Sequence, residues 1–276
     1  MIAWTRVSKA KPCPVCKHSD WCGVSADGIL AICMRVESAR PSRNGGWVHR
    51  LRDTPPAYRP PIKPPARPLT NCNALISQWR QATTELQLQS LADSIGVAHA
   101  SLAELGAAWA SSYSAWAFPM RDGAGQTIGI RLRSDAGKKW AVTGSREGLF
   151  YPERTPADHT AWICEGPTDA AAGLSIGLFA IGRPSCSGGT DALKALFRRL
   201  AIHRAIIVAD YEEPKTLPSG STWRPGAAGA ARLSNSLPVF TKMIFTPAKD
   251  LREWVRSGAT ADLLRMAAEQ FPWKRG

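Results

Sequence analysis

The chain has 276 residues, 44% of them apolar, and 35 Lys/Arg against 22 Asp/Glu, a formal net charge of +13. That length suffices for two or three domains with packed cores, and so basic a balance points to a polyanionic partner, nucleic acid or an anionic membrane surface. No apolar run reaches the length of a membrane span and residues 1–6 lack a signal-peptide core, which argues against a membrane protein and for a cytoplasmic location.

Residues 1–52 are read as a zinc-binding domain. The seven cysteines are an odd number with four clustered early, a pattern that suits metal binding in a reducing compartment better than disulfides. Cys13 and Cys16 are two residues apart around a tight turn, and Cys22 and Cys33 follow at wider spacing. Four thiolates give a closed tetrahedral Zn²⁺ site of the structural kind. His18 is the competing ligand, able to replace Cys16 or Cys22. Residues 24–32 read as a β-hairpin turning at Asp27-Gly28, hence a zinc ribbon. Trp4, Trp21 and Trp47 either stack on bases or cap the small core, and core packing is expected for at least two of them. The basic surplus of this part of the chain is either a solubilising surface or one that follows a phosphate backbone.

Residues 53–70 are proline-rich and basic, a semi-rigid polyproline II linker. Residues 71–152 are read as a helical and basic α+β subdomain. Apolar residues recur at helical spacing from Asn73 to Ile95, Gly96 ends the run, and a second helix is expected at 101–105 with Ser101 as its N-cap. The pair is either a helix-turn-helix or a support packed on the following domain. Strand-like alternation then starts near Trp116. Residues 127–133 alternate apolar and basic, which puts Arg131 and Arg133 on one face. With Lys138, Lys139 and Arg146 they make a basic sheet surface, either an ordinary solvated face or a guide for phosphates.

Residues 153–257 alternate short apolar runs with helical stretches, a rhythm of parallel strands joined by right-handed crossovers. Strands are expected at 160–164, 178–181, 204–209 and 239–245, with helices at 168–175, 191–200 and from 225. Carboxylates close three of the strands: Glu165, then Asp210 with Glu212, then Asp250 after Lys249. In an open parallel sheet ligands bind beyond the carboxyl ends of the strands, so Glu165 and Asp210 should lie side by side. Carboxylates so placed repel each other, and a divalent cation such as Mg²⁺ or Mn²⁺ relieves that repulsion. Asp169 either supports those ligands or complements the dipole of its helix. Residues 213–225 are a long irregular loop, expected to be a functional flap. Residues 258–276 read as one amphipathic helix and a frayed tail.

The pattern Glu165-Gly166-x-x-Asp169 followed by an aliphatic strand ending Asp210-x-Glu212 resembles the Toprim domain of DNA primases, topoisomerases and some nucleases. Glu212 departs from the usual second aspartate; it keeps the charge and reaches one methylene further. The cysteine-rich N-terminus resembles the zinc-binding domain of Toprim primases, with a different ligand order, and the basic subdomain before the motif has its counterpart there. The domain order and compact size resemble primases of phages and mobile elements more than the full replicative enzyme.

The resemblance implies a DNA primase that makes short RNA primers on single-stranded DNA from ribonucleoside triphosphates. It gives the catalytic and Mg²⁺/Mn²⁺-binding roles to Glu165, Asp210 and Glu212, with Asp250 adding to the metal site. It gives nucleic-acid and nucleotide binding to Arg131, Arg133, Lys138, Lys139, Arg146 and Lys249. No G-x-x-x-x-G-K-[ST] motif occurs, so a helicase motor is expected on another polypeptide. The alternatives are a non-catalytic zinc-ribbon DNA-binding protein and a Toprim nuclease.

Overall fold

The computed structural model describes residues 3–42, 45–52 and 70–211, and, apart from positions 212, 214, 217–221 and 224, continues to residue 275. The proline-rich segment and Glu212 lie outside the described residues. Contacts divide the chain into two compact units, residues 1–67 and 68–276.

The first unit is a four-stranded antiparallel sheet: β1 (Trp4–Arg6), β2 (Gly23–Ser25), β3 (Leu30–Cys33) and β4 (Trp47–Arg50), in that order. The expected hairpin joins β2 to β3. The Asp27 carboxylate accepts from the Ser25 hydroxyl at 2.6 Å and the Ile29 N–H at 3.0 Å, and Gly28 takes the left-handed conformation at φ +70°. The buried core is little more than Cys13, Cys22 and Cys33. Trp4 and Trp21 are 39% and 70% exposed, and only Trp47 is partly covered, so the expected tryptophan core is not there. Four strands of three or four residues enclose too little space for an indole.

The second unit opens with α1 (Cys72–Ala82), α2 (Glu85–Ile95) and α3 (His99–Leu105). The run from 73 to 95 is two helices rather than one. Thr84 restarts it with a capping box, its hydroxyl accepting from the Gln87 N–H while the Gln87 side chain accepts from the Thr84 N–H. Ser101 is not an N-cap but a buried residue within α3, its hydroxyl donating to the Ala98 carbonyl. Strands β5 (Ala108–Ala110), β6 (Ala115–Arg121), β7 (Thr127–Arg133) and β8 (Lys139–Ala141) follow as an antiparallel sheet.

Next come β9 (Thr160–Glu165), α4 (Gly166–Ser175), β10 (Ala180–Arg183), α5 (Thr190–Arg199) and β11 (Arg204–Ala209). In the long loop, β12 (Lys215–Thr216) and β13 (Thr222–Trp223) form a small antiparallel pair, where an irregular flap was expected. Then α6 (Pro225–Ser236), β14 (Phe240–Phe245), α7 (Leu251–Arg256), α8 (Ala261–Glu269) and β15 (Lys274–Arg275) complete the unit. The sheet order is β10-β9-β11-β14-β15, with the first four strands parallel. Residues 274–275 are therefore not a frayed tail. They pair antiparallel with Phe240 and Thr241 and cover an edge that would expose unpaired N–H and C=O groups.

Period-two alternation gives the parallel sheet two apolar faces. Trp162, Cys164, Ile206 and Val208 pack with α3, α4, α7 and α8; Ala161, Ile163, Ala205 and Ile207 pack with α5 and α6. Strand β6 is buried along its whole length. Trp116, Phe118 and Met120 join the first of these cores, while Ala115 and Ala117 pack with Ile76 and Trp79 of α1. Bridges Arg121–Leu149 and Phe150–Gly182 extend the link, so the antiparallel sheet is anchored at the carboxyl end of β10. Among the described residues no helix is long and apolar enough to cross a membrane.

A methyl group at Gly182 would overlap the Gly166 carbonyl oxygen, at the turn that sets Glu165. Gly182→Ala is expected to cost about 1–3 kcal/mol of unfolding free energy, as overpacking of a tight contact does. Urea denaturation checks it, and an unchanged midpoint would contradict the close fit.

Candidate active site and metal centre

In the first unit the four Sγ atoms of Cys13, Cys16, Cys22 and Cys33 lie within 4.8 Å of one another. The turn that gathers the first pair is closed by Lys17 N–H to the Cys13 carbonyl at 2.9 Å and Cys13 N–H to the His18 carbonyl at 2.8 Å. Backbone N–H groups of Met34 and Val36 point at the sulfurs of Cys22 and Cys33, at 3.4 and 3.3 Å, and favour the thiolate form. Thiols this close cannot all ionise unaided. Burial opposes charge on Cys16, but hydrogen bonds from the His18 backbone and the neighbouring thiols outweigh it and bring it to about 6. Burial, with the adjoining thiols, pushes Cys22 up to about 12. A dication removes the conflict, and four thiolates suit structural zinc. His18 is exposed and is not among these four, whereas Cys16 is.

In the second unit Ile163 pairs with Ile207, which brings Glu165 at the end of β9 level with the end of β11, beside Asp210. Gly166, at φ +77°, turns the chain directly from β9 into α4. Glu165 occupies the N-cap position of α4 without using its side chain as a cap. The end of β11 is stitched to the loop after β14: the Tyr211 N–H donates to the Lys249 carbonyl and the Thr246 hydroxyl, both at 3.1 Å. Asp250 caps α7, its Oδ1 accepting from the Glu253 N–H at 2.8 Å while Oδ2 lies 3.8 Å from Arg252.

Glu165, Asp169, Asp210 and Asp250 line one cleft of about 450 Å³, together with Arg131, Arg133, Lys139, Lys249 and Arg252. The cations come mainly from β7 and β8, where Arg133 lies opposite Lys139. Lys138 and Arg146, expected on the same surface, do not line the cleft. Lys138 precedes β8, and its ammonium lies 5.7 Å from the centroid of the Trp140 ring. Arg146 is exposed on the segment after β8, tied by its backbone N–H to the Ile128 carbonyl.

Asp169 is 5% exposed and sits in the first turn of α4. Burial, then the charges of Asp250 and Asp210, push it well above the ordinary carboxylate range; one N–H, from Arg252 at 3.3 Å, partly offsets them. This crowding of negative charge is what a bound divalent cation would relieve, so the donor set fits Mg²⁺ or Mn²⁺. Among the described residues, however, only the cysteine quartet gathers three or more ligand atoms tightly enough to hold an ion alone.

Two arginines carried no sequence signal. Arg252 lies in the first turn of α7, and Arg183 faces Glu165 in register across β10 and β9. Arg183 is 4% exposed, and its Nε donates to the Gly188 carbonyl at 2.9 Å. Burial lowers its pKa, and the charge of Glu165 opposes that shift.

Two outcomes are expected. Metal analysis should find one zinc per chain in the wild type and in His18→Ala, and loss of zinc in Cys16→Ser and Cys22→Ser, with release growing steeper as pH falls and thiolates take up protons. For Asp169 the folded pKa is raised, so its stabilising contribution is complete below the unfolded value of about 4 and is lost as pH rises through the folded value. Unfolding free energy without divalent cations should fall over that rise, and Asp169→Asn or added Mg²⁺ should flatten the slope.

No protein-family profile and no curated protein matches the sequence. Solved structures match in fold. The E. coli primase catalytic core is 17% identical, with a TM-score of 0.54, over 73% of this chain and 79% of that one. A DnaG primase catalytic domain bound to single-stranded DNA is likewise 17% identical, TM-score 0.54, over 73% and 78%. The zinc-binding and RNA polymerase domains of Aquifex aeolicus primase are 14% identical, TM-score 0.57, over 74% of this chain and 60% of that chain. The chain therefore has the fold of DnaG-type primase cores, with an acidic cleft at the carboxyl ends of its parallel strands.

Proposed function

We propose that the chain is a DNA primase, a nucleotidyltransferase that builds short RNA primers on single-stranded DNA. The observation that carries this reading is the cleft in which strand-end carboxylates of a parallel sheet face the cationic side of an antiparallel sheet. The fold shared with primase cores supports it. The cysteine quartet adds a zinc module of the kind a primase carries ahead of its polymerising domain.

Glu165 and Asp210, with Glu212 and Asp250, would hold Mg²⁺ or Mn²⁺. Such an ion, when bound, neutralises triphosphate charge and lowers the pKa of an attacking hydroxyl. The protein's own side chains position the reactants. Arg131, Arg133, Lys139 and Lys249 draw triphosphate and template phosphates into the cleft, and Asp169 fixes the start of α7 through the Arg252 N–H. The zinc module of residues 1–52 contacts template from beyond the linker of residues 53–70. Residues 71–152 carry the basic sheet, 153–257 the Toprim catalytic domain and 258–276 a terminal segment. The enzyme works in the cytoplasm beside a separate helicase, and its order of parts fits primases of phages and mobile elements.

The test is template-dependent incorporation of labelled ribonucleotides on single-stranded DNA with Mg²⁺ or Mn²⁺. Glu165→Gln and Asp210→Asn should each lower the rate by about a thousandfold or more, the scale of several kcal/mol of lost charge stabilisation, while DNA binding persists. Arg131→Ala should raise the KM for nucleotide. No product under either metal would sink the polymerase reading. DNA shortening that depends on Glu165 would put a nuclease in its place, and salt-sensitive binding without chemistry would leave a DNA-binding module.

A further inference from the structure

Arg133 lines two cavities. One is the acidic cleft; the other, of about 370 Å³, lies between α2 and the antiparallel sheet. Two indoles, Trp109 and Trp116, line the second cavity, paired across β5 and β6 with ring centroids 5.3 Å apart at 65°. Trp116 is 6% exposed and anchored in the core, while Trp109 is only partly covered. Around them stand Gln87 and Ser90 of α2 and, beyond β7, Asp135.

The chemistry of this lining selects an occupant. An indole face offers stacking to a flat ring, worth about 1–3 kcal/mol per nucleobase. The amide, hydroxyl and carboxylate serve the polar edge of such a ring, and Asp135 in particular accepts from amino groups. The same carboxylate repels phosphate, so the base is the part that enters and its phosphate stays at the boundary. Arg133, at the boundary of the two cavities, is placed to hold a phosphate between them. We infer that this cavity takes one unpaired nucleobase of single-stranded nucleic acid, whose phosphate is held at Arg133 and whose backbone continues into the acidic cleft. The inference deepens the primase reading, and rests on it, by naming where the template strand leaves a base.

The test is equilibrium binding of the full chain to single-stranded DNA in which one abasic residue is moved along the strand. The wild type should show one position at which the abasic residue weakens binding about tenfold. Trp109→Leu should weaken binding to intact DNA about as much and feel no further penalty at that position. Ser90 is exposed on α2, and Ser90→Trp, which fills the cavity while leaving Trp109 in place, should erase the same penalty even if Trp109→Leu misfolds. Neither change should alter the salt dependence, whereas Arg133→Ala should reduce its slope by about one unit. The site is overturned if no position shows a penalty, or if the penalty survives Ser90→Trp. Binding is read without primer synthesis, so a chain that binds in this way but makes no primers overturns the primase reading alone.

Discussion

The second unit depends on mutual repulsion held in place. Four carboxylates share one cleft with five cationic side chains, and Asp169, the most buried of the four, is pushed towards its neutral form by burial and then by the charges of Asp250 and Asp210. Carboxylates gathered this closely disfavour one another's charged forms, and the cationic side chains of the same cleft offset part of that cost. The cationic side is equally constrained: Arg133 is held below its ordinary pKa by burial and by Arg252, so it gains from any anion that enters.

The rest of the unit keeps the two charged walls facing each other. Strand β6 does most of this, because it is buried on both faces, against the helices of the parallel sheet on one side and α1 on the other. The bridge from Phe150 to Gly182 and the turn at Gly166 bring the antiparallel sheet to the carboxyl end of β10. A shift there would move Arg131 and Arg133 away from the carboxylates without unfolding either sheet. In the first unit a cluster of thiols plays the part of a hydrophobic core, because strands of three and four residues cannot enclose one.

Much of this was legible in the residues. Apolar runs closed by Glu165 and Asp210 gave parallel strands with acidic ends, and alternation in β7 gave one basic face. The spacing of Cys13, Cys16, Cys22 and Cys33 pointed to the single thiol cluster that forms. Helix breaks were less legible: Thr84 splits an apolar run that periodicity treats as continuous, and Ser101 looks like a cap although α3 starts two residues earlier. The strand pattern groups Lys138 and Arg146 with Arg131, yet both lie outside β7 and β8 and neither lines the cleft.

The sequence by itself determined which short runs become strands, which carboxylates end them and which thiols can share an ion, since these follow from local periodicity and spacing. Only tertiary structure decided that Arg252 and Asp169 enter the same cleft, that Arg183 faces Glu165, and that residues 274–275 close the edge of the sheet. Those relations join segments far apart in the chain. They are fixed by sheet register and by which faces are buried, and a linear pattern records neither.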